Sequence, residues 1–208
     1  TESKYYTGLL KTRTTTYSAP GQTDLRTSES YEYDENTKTY TFHLREGVKW
    51  HDGEVFTADD VVFTYKALTE DKSLSSGITS NYEDIKSITT PDKNTVVIQM
   101  EQDNAAMLDY FTIGIIPKHL LEGKDLNTDS FNQNPVGTGR YKLVSWDTAA
   151  NQITLVKNEN YYDKVPNIEN IIFKNVTDEN TKATMMQAGE ADLVWLNASY
   201  ASTFKNNP

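Results

Sequence analysis

Residues 39–68, TYTFHLREGVKWHDGEVFTADDVVFTYKAL, carry the densest set of structural signals in the chain. Apolar and polar residues alternate over residues 40–45, which predicts a strand with one buried face. Glycines in segments 46–47 and 51–53 predict two tight turns around a second short strand, because glycine adopts a positive φ at little cost. The last part, residues 57–68, has the pattern of a capped helix. We therefore expect a compact α+β unit here and call it the signature segment.

The helix of the signature segment has both a start signal and an apolar stripe. Thr57 is a favourable N-cap residue, and Asp60 follows three residues later, where its carboxylate can face the free amides of the first turn. The stripe consists of Ala58, Val61, Tyr65 and Leu68. Asp59 and Asp60 could also be read as a catalytic carboxylate pair, but adjacent helix residues point about 100° apart. Helix capping explains them better.

The signature segment resembles the extracellular solute-binding proteins of family 5, which serve ABC importers of oligopeptides, dipeptides and nickel. The resemblance is carried by YTFHLREGVKWHDG at residues 40–53 and TADDVVFTYKAL at residues 57–68. It continues in NPVGTGRY at residues 134–141, in KNENYY at residues 157–162 and in AGEADL at residues 188–193. The resemblance implies a solute receptor rather than an enzyme.

The Gly-Thr-Gly of residues 137–139 could instead belong to a phosphate-binding loop. No lysine follows at the Walker spacing, and residues 141–146 alternate as a strand does rather than opening a helix. We therefore expect a sharp turn that leads into a strand. In the resembled family this turn marks the return from an inserted domain to the main lobe, and Arg140 stands where the family has proline.

The composition of the 208 residues excludes several classes of protein. A net charge of −10 argues against nucleic acid or an anionic membrane as a partner, since both require clustered lysine and arginine. No run of about 20 apolar residues is present, so we expect no spanning helix, and the polar beginning TESKYY is not a signal peptide. There is no cysteine, and the three histidines are isolated from one another. We therefore expect neither a metal site nor a cofactor.

The predicted fold class is α+β, with an α/β-type lobe that carries an inserted α+β domain. The resemblance implies a type II periplasmic-binding-protein-like fold that is incomplete relative to the family. We assign residues 1–10 to a helix or hinge of the main lobe, and residues 11–134 to the inserted small α+β domain. Residues 135–208 are assigned to a partial main lobe, with the second ligand-binding lobe absent. Hairpins are expected over residues 31–45 and 85–100.

Two more strands are predicted after the turn. Residues 153–157 are expected to pair with the strand that the turn begins. In residues 168–176, Ile171 and Phe173 fall on one face and Ile172 on the other, which predicts a strand buried on both faces.

A helix is predicted over residues 180–188. Asp178 is its expected N-cap, and Gly189 is expected to end it in a left-handed conformation. Met185 and Met186 are expected to fill the core beneath it.

The first candidate binding group follows that helix. Residues 193–196 are predicted to be a strand that runs inward and presents Trp195 and Asn197 at its tip, where receptors commonly hold polar and aromatic groups. In position, Asn197 resembles a cleft asparagine of oligopeptide receptors. A core tryptophan and an asparagine that caps a helix over residues 199–204 explain the same pattern equally well.

The second candidate group lies in residues 73–82. Members of the resembled family present a tyrosine or polar side chains to the ligand from this part of the inserted domain. On that basis the candidate ligand-binding residues here are Ser75, Ser76, Asn81 and Tyr82. No catalytic residue is predicted, because no nucleophile and base are paired and no Gly-x-Ser-x-Gly elbow is present.

The resemblance implies a substrate-binding component that captures an oligopeptide or dipeptide outside the membrane and delivers it to the permease subunits of an ABC importer. The expected location is the periplasm or the extracellular face of the cell membrane, with any lipid anchor outside this chain. The protein is expected to be a monomer. Alternatives that stay open are the same scaffold binding a nickel chelate, heme or a sugar, and a structural or adhesive surface domain. A hydrolase is disfavoured.

Overall fold

The computed structural model describes residues 27–205, which form two antiparallel sheets accompanied by helices. The expected helix in residues 1–10 and the loop up to residue 26 lie outside the described residues. The elements are β1 Ser28–Asp34, β2 Thr39–Leu44, α1 Ala58–Glu70, β3 Ile85–Asp92, β4 Thr95–Met100, α2 Met107–Tyr110, α3 Lys118–Leu121, β5 Tyr141–Asp147, β6 Gln152–Lys157, β7 Asn170–Lys174, α4 Glu179–Gln187 and α5 Ala201–Phe204.

The first sheet has four strands in the order β1-β2-β4-β3. Both predicted hairpins are present, β1 with β2 and β3 with β4, and the two hairpins join through the antiparallel pair β2 and β4. In that central pair, Tyr40 lies opposite Ile98 and Phe42 opposite Val96. All four of these side chains are buried, so the alternation of residues 40–45 places one apolar face inward as predicted.

The core of this part of the molecule lies between the four-stranded sheet and α1. Val61 and Tyr65 of α1 are fully buried, in agreement with the predicted apolar stripe. The ring of Phe111 meets the rings of Tyr40 and Phe42 edge-on, with centroids 5.2 Å and 5.0 Å away. Such perpendicular aromatic contacts add to the stabilisation that burial alone gives. The sheet, the helix and the loop around Phe111 therefore share one closed core.

Asp60 connects three parts of the signature segment and its surroundings. Its Oδ2 accepts hydrogen bonds from the Thr57 amide at 3.0 Å and from the indole Nε1 of Trp50 at 3.2 Å. Its Oδ1 accepts from the backbone amide of Lys118, at the start of α3, at 2.9 Å. The predicted capping role is confirmed, and the buried carboxylate also anchors the turn and α3. The second short strand predicted in this segment is reduced to one bridge between Lys49 and Val55.

The second sheet has three strands in the order β5-β6-β7, which confirms the turn-to-strand prediction and the pairing of β6 with β5. Leu155 of β6 is fully buried, and its cross-strand neighbours Leu143 and Ile171 are half-buried. The prediction that β7 is buried on both faces is wrong, because Ile172 is 56% exposed. Among the described residues of β7, Ile171 and Phe173 are half-buried on one face, and Ile172 lies on the other.

Helix α4 has the predicted ends but not the predicted packing. Asp178 caps it by accepting from the Thr181 amide at 2.7 Å, and Gly189 follows it with φ of 73°. Ala183 is the buried residue of the helix, whereas Met186 is 37% exposed and Met185 half-buried. The prediction that both methionines fill a core is therefore wrong for Met186. Within residues 27–205, no helix has the length and apolarity needed to cross a bilayer.

Candidate functional site

The segment after α4 carries the most exposed large aromatic side chain among the described residues. Trp195 is 74% exposed, and its neighbour Leu193 is exposed to a similar extent. Residues 191–197 contain no strand, so the predicted strand over residues 193–196 and the core position for Trp195 are both wrong. An indole in this position offers a free apolar surface and a free N–H donor to a binding partner.

The segment is held in place through its backbone and its flanking residues. The amide of Asn197 donates to Glu179 Oε2 at 3.0 Å, and the other oxygen of that carboxylate accepts from Lys182 Nζ at 2.9 Å. These two donors, Lys182 first, lower the pKa of Glu179 below its usual value. Beyond Asn197, the hydroxyl of Tyr200 donates to Asn180 Oδ1 at 2.7 Å. The chain that carries Trp195 is thus tied to the first turn of α4, while the Asn197 side chain stays exposed.

A shallow depression of about 350 Å³ lies on α4 and is lined by Asn180, Thr181, Thr184, Met185 and Glu190. The hydroxyl of Thr181 donates to Asp178 at 2.6 Å, and that of Thr184 donates to the Asn180 carbonyl at 2.9 Å. Both hydroxyl oxygens keep lone pairs that can accept, and Glu190 adds a carboxylate. The depression is therefore rich in acceptors, a chemistry that suits amide or ammonium donors.

The second candidate group divides into a buried and an exposed part. Tyr82 belongs to the core: its ring packs edge-on against Tyr65 at 5.6 Å, and its hydroxyl donates to the Tyr110 carbonyl at 2.7 Å. Burial raises the pKa of its hydroxyl far above the usual value. A fully packed ring of this kind is not presented to a ligand, so the geometry does not support the ligand-facing prediction for Tyr82.

Ser75, Ser76 and Asn81 lie at the surface or half-buried on the loop before Tyr82. Asn127 holds this loop from across the chain, since its Oδ1 accepts from the Ser75 amide at 2.8 Å and its Nδ2 donates to the Ser73 carbonyl at 3.0 Å. The Ser76 hydroxyl is also close to the Ile78 amide. Asn127 therefore holds the loop through backbone groups of Ser73 and Ser75, and the Ser75 side chain stays exposed.

The structure does not bring the two candidate groups together. Within residues 27–205, no hydrogen bond, ion pair or ring contact joins the loop of residues 73–82 to residues 195–197. The same part of the chain contains no cluster of three or more histidine or acidic residues suited to a metal ion. Each group can contribute one surface to a larger site.

A junction that the sequence did not reveal lies between the two sheets. The ring of His51 has Nδ1 facing the Gly137 amide at 3.2 Å and Nε2 facing the Gly139 carbonyl at 3.0 Å. Its backbone amide donates to the Gly137 carbonyl at 2.8 Å, and its carbonyl accepts from Lys142 Nζ at 3.1 Å.

The buried side chain of Asn158 completes the junction by donating to the same Gly139 carbonyl at 3.1 Å. Three motif segments that carry the family resemblance, residues 50–53, 134–141 and 157–162, therefore meet at this junction. The sequence marks each of them but contains no signal that joins residues more than 80 positions apart.

Comparison with known proteins gives a consistent result. A family model described as bacterial extracellular solute-binding proteins, family 5 Middle, matches residues 25–208. Protein XP55 of Streptomyces lividans is 31% identical over 170 residues, which cover 82% of this chain and 31% of that protein. The oligopeptide-binding protein AppA of Bacillus subtilis is 32% identical over 158 residues, which cover 73% of this chain and 28% of AppA.

Comparison with solved structures leads to the same family. The structure of NikZ from Campylobacter jejuni in complex with Ni(L-His) superposes with a TM-score of 0.89 at 33% identity, covering 98% of this chain and 40% of NikZ. The structure of Bacillus subtilis AppA with a nonapeptide gives a TM-score of 0.89 at 27% identity, with the same coverage of 98% and 40%. The mixed helix-and-sheet architecture is thus that of the solute-binding proteins, and the chain spans less than half the length of these relatives.

Proposed function

This chain belongs to the bacterial extracellular solute-binding proteins of family 5, and on that premise we propose that it is part of the peptide-binding component of an ABC importer. The family consists of extracellular or periplasmic substrate-binding components of transporters, which confirms the prediction that the chain is not an enzyme. The ligand, the permease partner and the mode of attachment to the cell belong to the proposal.

The observation that carries the proposal is the likeness to AppA, which was solved with a nonapeptide and superposes over 98% of this chain. Peptide binding also suits the surface after α4. Exposed Trp195 can pack against an apolar side chain of a peptide, and the acceptor-rich depression can receive its amide and ammonium hydrogens. Water can bridge the remaining polar groups, which allows many peptide sequences to be accepted.

We further propose that the peptide is clamped between this part of the protein and a second lobe. Residues 11–134 would form the inserted small domain, and residues 135–208 would form part of the main lobe with Trp195 and Asn197 facing the cleft. Ser75, Ser76 and Asn81 would offer polar contacts from the inserted domain. Ligand contacts on both sides would favour the closed arrangement over the open one, which is how hinge closure is driven.

A nickel chelate is the second candidate ligand, and a specific observation favours it. NikZ, solved with Ni(L-His), is 33% identical to this chain in the aligned region, against 27% for AppA. A nickel–histidine complex presents amine and imidazole N–H donors that the same acceptor-rich surface could receive. The two ligands differ in metal content, so one experiment distinguishes them.

The test is to purify the full-length protein that contains this chain under native conditions and to analyse what remains bound. Mass spectrometry after mild denaturation would identify peptides, and elemental analysis would measure nickel. We expect bound peptides in near-stoichiometric amount and no nickel above background. Stoichiometric nickel without peptide would replace the proposal with the second candidate, and neither ligand in any preparation would favour a structural surface domain.

The chain offers a matched pair of variants for the same experiment. Trp195→Ala removes the exposed indole after α4, whereas Trp146→Ala removes a 48% exposed indole of β5 that belongs to neither candidate group. Loss of a tryptophan contact at a binding surface commonly costs enough to weaken binding about tenfold or more. We expect that loss for Trp195→Ala alone, and equal retention of peptide by both variants would remove Trp195 from the site.

The proposal also covers partners and location. The component would act as a monomer that docks on the permease subunits, and any lipid anchor would lie outside the residues described. Labelling the intact protein with a membrane-impermeant reagent in whole cells, and extracting it with detergent or with salt, would distinguish a lipid-anchored form from a free periplasmic one.

A further inference from the structure

The hydrogen bonds of the His51 ring determine where its proton lies. A backbone amide can only donate, so the Gly137 amide requires an unprotonated Nδ1. A carbonyl oxygen can only accept, so the Gly139 carbonyl requires a hydrogen on Nε2. Both contacts form together in one state alone, the neutral ring with its hydrogen on Nε2. A second proton, on Nδ1, would direct an N–H at the N–H of Gly137.

The charged groups around the ring oppose a second proton on balance. Burial of the ring is the largest influence and lowers the pKa of His51, while the Gly139 carbonyl works in the opposite direction. The ammonium of Lys142, which reaches in from β5, lowers the pKa further, and neighbouring Asp52 raises it. The carboxylate of Asp52 is itself paired with His119 of α3 at 2.8 Å, which leaves it less able to support a charge on His51.

We propose that His51 is a proton-sensitive clasp: its neutral ring holds the turn of residues 137–139 on the signature segment, and its protonation breaks the hydrogen bond from the Gly137 amide and loosens that turn. The turn leads directly into β5, so the clasp connects the three-stranded sheet to the four-stranded sheet. Because Gly137 is buried in the closed state, loosening of the turn opens its amide, which is otherwise protected, to solvent.

The pH range follows from the direction of the pKa shift. A histidine whose pKa is lower in the folded chain stabilises the fold fully above the unfolded value of about 6.5. That stabilisation is lost as the pH falls below this value towards the pKa of the folded state. The clasp is therefore closed at neutral pH and weakens in mildly acidic surroundings.

The experiment is amide hydrogen exchange on the full 208-residue chain at pH 7 and pH 5, with rates corrected for the intrinsic effect of pH. We expect the protection of the Gly137 amide to fall about tenfold or more at pH 5, as the loss of its acceptor predicts. Amides of β2 and β4 should keep their protection, because they are bonded to each other's backbone and the His51 ring takes no part in that pairing. Unchanged protection at Gly137 would overturn the proposal.

Two variants distinguish protonation of His51 from the effects of low pH on other groups. In His51→Asn the side-chain oxygen can take the place of Nδ1 as acceptor and does not titrate, so the Gly137 amide should be equally protected at both pH values. His43→Asn removes a half-exposed histidine of β2, and this variant should show the same pH dependence at Gly137 as the unaltered chain. A loss of protection at pH 5 that persists in His51→Asn would show that another group is responsible.

A measurement on the unaltered chain decides the matter even if His51→Asn does not fold. The ¹⁵N chemical shifts of the His51 ring report its tautomer directly. We expect the hydrogen on Nε2 at pH 7 and a second proton at Nδ1 with a midpoint below 6.5. A hydrogen on Nδ1 at pH 7 would contradict the hydrogen-bond assignment and the clasp with it.

Discussion

The two sheets differ in how far their apolar faces are covered. One part of the molecule is built on the four-stranded sheet and the other on the three-stranded sheet. In the first, α1 and Phe111 cover the apolar face of the sheet, and Phe42, Ile98 and Tyr65 are essentially inaccessible to solvent. In the second, Leu155 is the large side chain of the sheet that reaches full burial, while Trp146 and Ile172 remain about half exposed. A regular apolar pattern thus marks a packing face, and whether that face is covered depends on what lies opposite.

Core truncation gives the largest expected difference between the two parts. Phe42→Ala should lower the free energy of unfolding by about 3–5 kcal/mol, because it leaves a cavity beneath three neighbouring rings. Trp146→Ala should cost about 1 kcal/mol or less, since much of that indole is already in water. Urea denaturation followed by circular dichroism would measure both, and losses of equal size would show that the second sheet is as well packed as the first.

Two carboxylates at helix N-termini, Asp60 of α1 and Asp178 before α4, extend the comparison at a smaller energetic scale. Asp60→Ala should cost about 2–3 kcal/mol, because one buried and two partly buried donors lose their carboxylate acceptor at once. Asp178 caps an exposed helix, so Asp178→Ala should lower the free energy of unfolding by less than Asp60→Ala does. The same denaturation experiment applies. A cost for Asp60→Ala no greater than that for Asp178→Ala would mean that the contacts to Trp50 and Lys118 contribute little.

The pKa values of two exposed carboxylates, Asp92 at the end of β3 and Asp178 before α4, compare the two parts of the molecule without any change to the core. The pKa of Asp178 is lowered chiefly by the Thr181 hydroxyl, whereas that of Asp92 is lowered chiefly by the Asn94 amide. Thr181→Val should therefore raise the pKa of Asp178 by more than Thr95→Val raises that of Asp92, as measured by NMR titration. Since both values are lowered, the stabilisation that each carboxylate gives is present above about pH 4 and is lost as the pH falls below it.

The smallest effect is expected at the proposed binding surface. Trp195→Ala should change the free energy of unfolding by no more than about 0.5 kcal/mol, because the side chain is 74% exposed and packs against little. A loss above 2 kcal/mol in the same urea experiment would show that Trp195 is structural after all. If Trp195→Ala keeps its stability and loses bound ligand, Trp195 acts in binding and not in folding.

The sequence predicted the elements that depend on local chemistry. The alternation of residues 40–45, the cap at Thr57 and Asp60 and the glycine at position 189 each act within a few residues, and all three are present. The strand expected over residues 193–196 failed because apolar residues need a partner strand, and none pairs with them in the described chain.

The sequence pattern did not predict the contacts between distant parts of the chain. Nothing in the pattern distinguishes the half-exposed Met186 or Ile172 from a core residue of the same type. The hydrogen bond between the Gly137 amide and His51 joins residues 86 positions apart, and the indole of Trp50 reaches Asp60 across the turn between them. For the candidate site, the sequence placed Trp195 at the tip of an inward-running strand, whereas the indole is exposed on a segment that is not a strand. The burial of the Tyr82 ring does not support the prediction that it faces a ligand.

The central claim is that this chain supplies one side of a peptide clamp, and calorimetry tests it most directly. A peptide library is titrated into the full-length protein and, separately, into the 208-residue chain. We expect saturable binding with a micromolar or lower Kd for the full-length protein and weak or no binding for the 208-residue chain, because one side of the clamp is then absent. A micromolar or tighter peptide site on the 208-residue chain alone would contradict the account.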